Sequence, residues 1–340
     1  MSAVVLRRGP VSLRVERRTL VLVAAMALVV LVLGFLGLSY GATWADPAKV
    51  FAALTGSGGG SGVVIREWRL PRVLSCLVFG AALGVAGAIF QNVTRNPMGS
   101  PDVIGLDAGA YTGALVAITV LSGTSAQLTA GSLAGGVLAA AAVYLLSSGG
   151  GLSGLRLVVI GIAVNAVLTA MNSWIVLRAE LEVAIAAVGW SAGSLNGVDW
   201  EDVRIPFAVI GVLLVLLVLR SPALHQDALG TALAVTTGVR VDRLRLHLVL
   251  IGVGCTATVT AVAGPIAFIA LAAPQIGRRL ARAPGVPLLP AALTGAVLLQ
   301  GADLVAQMLL APVALPVGVV STAIGGCYLI WLLTKEVRRA

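Results

Sequence analysis

AAMALVVLVLGFLGL, Ala24 to Leu38, runs for fifteen residues without a charge or a hydrogen-bonding side chain. Within lipid, only helices and closed barrels satisfy every backbone N–H and C=O. A barrel strand alternates apolar and polar residues in units of about ten. This run is unbroken, so it reads as a helical span. On its N-terminal side lie Arg7, Arg8, Arg14, Arg17 and Arg18. A cleaved signal peptide has a shorter apolar core and a small-residue exit. Thr19–Leu38 is too long for that and reads as an uncleaved first span, with residues 1–18 as a basic cytoplasmic segment.

The remaining chain has the same character. Of 340 residues, 59% are hydrophobic and 11% charged, and the mean hydropathy is +1.02. Soluble domains carry about 25% charged residues, so residues 19–340 read as a single all-α integral membrane domain. At about 20 residues per crossing, the apolar runs give ten spans: Thr19–Leu38, Val73–Val93, Val103–Leu121, Ala126–Leu146, Leu155–Leu177, Ile205–Leu219, Leu246–Ala263, Pro265–Ile276, Leu288–Leu310 and Pro316–Leu333. The eighth is short and contains Pro274, which predicts a broken or re-entrant segment.

Charge decides whether that segment crosses. Among the 23 basic residues only Lys49 and Lys335 are lysines. With ten crossings and both termini cytoplasmic, 17 basic residues fall inside and 6 outside. Without the eighth crossing, the split becomes 11 to 12. Only ten crossings keep the inward bias of Lys and Arg, which also accounts for the net charge of +9 without nucleic acid. The outer loops are then Tyr40–Gly62 and Arg178–Arg204. The largest inner loop is Arg220–Arg245, for which two readings stand. It forms either a short amphipathic helix docked on a cytoplasmic partner or a helix lying at the lipid headgroups.

Several chemistries are missing. Neither lysine sits in a Gly-Lys-Ser/Thr sequence, so the chain has no P-loop. His225 and His247 form no metal motif, and no G-x-S-x-G elbow occurs. Cys76, Cys255 and Cys327 stand alone in apolar runs. The chain therefore reads as neither an ATPase nor an enzyme, and as holding no metal or cofactor. Acidic groups at membrane depth are functional candidates; Asp303 in the ninth span is one, and Asp102 and Asp107 open the third. Asn165, Thr169 and Asn172 recur on one face of the fifth span. Such a stripe faces either a cavity or a packed neighbour.

Arg69–Ala110 reads RLPRVLSCLVFGAALGVAGAIFQNVTRNPMGSPDVIGLDAGA. Two arginines flank Pro71 at the outer mouth. Gly80, Gly84 and Gly87 permit close helix contact, and a Pro-interrupted turn follows. This stretch resembles the FecCD-like permeases of iron-siderophore and cobalamin ABC importers. The resemblance extends to ALGTALAVTTGV (Ala228–Val239), GPIAFIALAAPQIGRRL (Gly264–Leu280) and LPVGVVSTAIGG (Leu315–Gly326). It implies ten helices, a second permease subunit and two P-loop ATPase subunits that carry the ATP and Mg. It also implies an extracytoplasmic siderophore-binding protein and a place in the cytoplasmic (inner) membrane.

By the same resemblance, Arg66, Arg69 and Arg72 dock the binding protein, unless they merely snorkel to the interface. Asn96 and Met98, with Ser153 and Gly154, form the gate. On the reading that their stripe faces a cavity, Asn165, Thr169 and Asn172 line the pathway. Gly230, Ala234 and Gly238 belong to the coupling helix in a loop of about 220–245. The chain departs from the family pattern at Gln275, Ala314, Gln307 and Thr231, which points to one half of a heterodimer. WSAGSLNGVDW (Trp190–Trp200) and the ending YLIWLLTKE favour a siderophore over cobalamin. The alternatives are a cobalamin or haem importer permease and a proton-coupled secondary transporter with Asp303 as carrier.

Overall fold

The computed structural model describes all residues except 1–2, 9–10, 42–43, 57–58, 103–104, 122, 148–153, 283–285 and 338–340. Among the described residues, seven helices are long and apolar enough to cross a membrane: Arg17–Ser39, Val64–Thr94, Ala126–Ser147, Gly154–Arg178, Trp200–Ala228, Val241–Ala263 and Leu288–Met308. The other three expected spans are met by Leu106–Val120 and Ile269–Ala281, both shorter, and by Val317–Val337, of which the apolar stretch is Val317–Trp331.

In chain order the elements are β1 (Ala3–Arg8), β2 (Val11–Glu16), α1 (Arg17–Ser39), α2 (Pro47–Leu54) and α3 (Gly59–Val63). A π-helical turn, Val64–Arg69, leads into α4 (Leu70–Thr94). Then follow α5 (Leu106–Val120), α6 (Ser125–Ser147), α7 (Gly154–Arg178), α8 (Leu181–Ser191) and α9 (Trp200–Ala228). The chain closes with α10 (Thr231–Thr236), α11 (Val241–Ala263), α12 (Ile269–Ala281), α13 (Leu288–Met308) and α14 (Val317–Val337).

The bundle is built around α4. Its small residues let neighbouring backbones come close, as the sequence predicts. A Cβ added at Gly80 would lie 2.5 Å from the Gly295 carbonyl oxygen of α13, and one at Gly87 would collide with the Ala270 carbonyl of α12. Without a hydrophobic drive between helices in lipid, such packing is what holds them together. α4 and α11 are buried along most of their length, with Phe79, Phe90, Leu83 and Leu248 in the core. The outer helices α1, α6, α7 and α9 leave Leu31, Leu138, Val167 and Val218 at 67–69% exposure.

Three features differ from the sequence expectation. The basic N-terminal segment pairs β1 with β2 in an antiparallel hairpin; VSLRVE alternates apolar and polar residues, the period of a strand. Within the expected outer loop Arg178–Arg204, residues Leu181–Ser191 form α8. α9 does not stop at Leu219 but continues through Pro222 to Ala228. Proline cannot bond the carbonyl four residues back, and Ser221 Oγ donates to that Val218 carbonyl at 2.9 Å instead. The inner loop shrinks accordingly.

The eighth crossing is broken, as its length and Pro274 lead one to expect. α12 begins only at Ile269, and Gly264–Phe268 descends as irregular backbone. Phe268 turns into α12 at φ +69°. The descending strand is enclosed by protein. Ser194 N donates to the Ala263 carbonyl at 2.6 Å, and Ser321 Oγ donates to the Ala267 carbonyl at 3.2 Å. Non-helical backbone is tolerated at this depth only when so enclosed.

Candidate functional site

The polar stripe of α7 meets α5 across a cavity of about 530 Å³, lined by Asn165, Thr169 and Asn172 together with Asp107, Tyr111 and Ser173. The i, i+4, i+7 spacing placed all three on one face, and that face is open. They are not equivalent. Asn172 is 3% exposed; its Oδ1 accepts from Thr112 Oγ1 at 2.7 Å and its Nδ2 donates to the Ala108 carbonyl at 3.0 Å. It braces α7 on α5 at the cavity floor. Asn165 is half-buried and Thr169 exposed, which leaves their polar groups facing the cavity. Sequence reasoning passed over Tyr111, whose ring stacks on Trp190 with centroids 6.0 Å apart. Asp107 accepts from Thr260 Oγ1 at 3.2 Å.

The gate-like residues lie at the other end of α4. Arg95 ends that helix in the left-handed conformation. Asn96 Oδ1 then accepts from the Met98 backbone N–H at 2.9 Å, and Met98 is 40% exposed. Gln275 Nε2 donates to the Pro97 carbonyl at 2.9 Å, so the residue that departs from the family pattern ties α12 to this turn. Gly154, first in α7, packs on the end of α4; a Cβ there would sit 2.6 Å from Thr94 Cα. The two halves of the expected gate are therefore neighbours, although Ser153 lies outside the described residues.

The coupling positions divide. Gly230 and Gly238 bound α10 at φ +134° and +87°. Ala234 is fully buried and packs inward, so it cannot meet a partner. The large apolar residues that face outward are Leu229, Leu233 and Val235. Beside them, Asp227, Arg245, Arg95 and Thr231 gather into a polar cluster that the sequence reading missed. Its one available signal was Asp227, the lone acid between Arg220 and Arg240.

At the opposite end, the arginines expected to dock a partner have internal duties. Arg69 Nη1 donates to the carbonyls of Leu38 and Ser39 at 2.9 and 3.1 Å, groups left without intrahelical partners where α1 ends. Arg72 grips Asp303 in two parallel bonds, Nη2–Oδ1 at 2.8 Å and Nε–Oδ2 at 3.0 Å. Gln307 Nε2 donates to the same carboxylate at 2.8 Å. Asp303 is thus committed to Arg72 and Gln307. Arg66 is half-buried, and its guanidinium makes no hydrogen bond or ion pair among the described residues. Its carbonyl accepts from Trp200 Nε1 at 2.9 Å.

Comparison with known proteins adds the following. Residues 28–335 match the FecCD transport family. The ferric enterobactin transport system permease protein FepG of Escherichia coli is 44% identical over 326 residues, covering 96% of this chain and 99% of that one. The Fe(3+)-citrate import system permease protein YfmE of Bacillus subtilis is 32% identical, covering 96% and 98%. The solved inward-facing structure of a metal-chelate type ABC transporter superposes with a TM-score of 0.80 at 24% identity, covering 92% of this chain and 98% of that one.

Proposed function

Because the chain belongs to the FecCD transport family, we propose that it is the permease subunit of an ABC importer that moves a ferric siderophore across the cytoplasmic membrane. The observation that carries the reading is the cavity between α5 and α7, where hydroxyl and amide groups line a path on an otherwise apolar helix. Polar groups at membrane depth belong on such a path. The names of the relatives supply the cargo class, ferric enterobactin in one and Fe(3+)-citrate in another.

The end that carries Arg95, Arg245, Arg278 and Arg279 is the cytoplasmic one, and both chain termini are assigned to that side, because Lys and Arg gather inside. Two P-loop ATPase subunits dock there and hold the ATP and Mg; this chain holds no cofactor. Leu229, Leu233 and Val235 are the groups they meet. A second, unequal permease subunit completes the path, and the exposed face of α8, with Leu181, Ile185 and Val188, suits that contact. An extracytoplasmic siderophore-binding protein delivers cargo at the opposite end. Arg66 is better placed to receive it than Arg69 or Arg72, whose guanidinium groups are engaged.

In this mechanism, ATP binding shifts α10, and the turn at Asn96 and Met98 opens or closes against Gly154. The cargo crosses past Asn165 and Thr169 by alternating access. The test is uptake into proteoliposomes that contain both permeases, the ATPases and the binding protein. Uptake should require ATP and the binding protein. Uptake that follows a pH gradient without ATP overturns the reading.

A further inference from the structure

We propose that Arg95 is a positioning residue that links the coupling helix to the gate turn through the Thr231 hydroxyl. The proposal rests on the reading of this chain as an importer permease.

Arg95 does two things at once. Its backbone ends α4 at φ +51°, a left-handed conformation that non-glycine residues adopt only at a cost. Its side chain crosses to another part of the fold, where Nη2 donates to Thr231 Oγ1 at 2.6 Å over a separation of 136 residues. Thr231 is the first residue of α10. The same hydroxyl accepts from Arg245 Nη2 of α11 at 3.1 Å. A hydroxyl oxygen has two acceptor sites, and here the two arginines use both.

Asp227, at the end of α9 and 3% exposed, supplies the charge. Arg245 Nη2 holds its Oδ1 at 3.3 Å, with the Arg245 side chain 13% exposed. Arg95 stands off at 4.0 Å with its side chain 57% exposed. Arg245 is the fixed member of the cluster and Arg95 the exchangeable one.

The surroundings make this contact a lever. α10 is six residues long and is bounded by glycines at φ +134° and +87°, so it can pivot as a short piece on α9 and α11, to which Gln226 and Arg245 tether it. On the far side, the turn after Arg95 carries Asn96 and Met98 and is gripped by Gln275 through the Pro97 carbonyl. A displacement of Thr231 therefore reaches the gate through one guanidinium.

The experiment measures ferric siderophore transported per ATP hydrolysed by the complete complex in proteoliposomes. With Arg95→Ala, hydrolysis should continue while transport per ATP falls about fivefold or more. Arg95→Lys should recover part of the loss. Thr231→Val should reproduce it, and the double variant should be no worse than either single one, as expected for two groups that act through one contact. An Arg95→Ala complex that moves as much per ATP as the unsubstituted one overturns the link, as do Arg95 and Thr231 losses that multiply. Absence of ATP-dependent uptake in the unsubstituted complex overturns the permease reading and the link together.

Discussion

Asp303 and Asp227 are both buried carboxylates at the ends of the bundle, yet one faces a single arginine and the other faces two. Arg72 holds Asp303 at 2.8 Å with only 17% of its side chain exposed, and Gln307 closes the remaining side. Asp227 has Arg245 at 3.3 Å and Arg95 at 4.0 Å. The first arrangement is saturated and rigid, and fixes α4 to α13. The second has one cation in excess and one loose partner. Locked charge suits a scaffold, and shared charge suits a joint.

Asp303→Ala should break this contrast most severely, because it strands Arg72 in a largely buried site. Loss of one partner from a buried pair costs about 3–5 kcal/mol, to be read as a fall in unfolding midpoint in detergent. Replacing both residues with apolar ones of similar volume should recover most of it. Arg245→Ala should cost less, about 2 kcal/mol, since Arg95 remains near enough to answer Asp227. If its cost equals that of Asp303→Ala, the second arginine gives no protection and the contrast fails. Arg95→Ala should have the smallest effect on stability, below about 0.5 kcal/mol, because its guanidinium is largely in water. That small effect should vanish at high salt, whereas the Asp303→Ala loss should persist.

The sequence made the spans legible because runs such as Ala24–Leu38 allow no other solvent than lipid. It also exposed the eighth crossing, since Arg278, Arg279 and Arg282 keep their side of the membrane only if that segment crosses. The stripe at 165, 169 and 172 was visible as a pattern. That Asn172 braces while Thr169 faces the cavity depended on where the Ala108 carbonyl came to lie. The internal partners of Arg69 and Arg72 were hidden for a similar reason. Their partners are 31 and 231 residues away, and no local pattern announces a contact made across the fold. The continuation of α9 past Pro222 was hidden by a rule with an exception, the neighbouring serine that takes up the vacated carbonyl.

The broken eighth crossing has a consequence for biogenesis. Part of its enclosure comes from residues made afterwards: the Ala267 carbonyl is met by Ser321, and Phe268 lies over Gly325. While the chain is being threaded into the bilayer, Gly264–Phe268 therefore emerges before the helix that shields it. Its peptide groups need water, a translocon or another chaperoning surface until α14 arrives. A helix synthesised later completes a crossing begun some fifty residues earlier, so this crossing is sealed only once α14 has emerged.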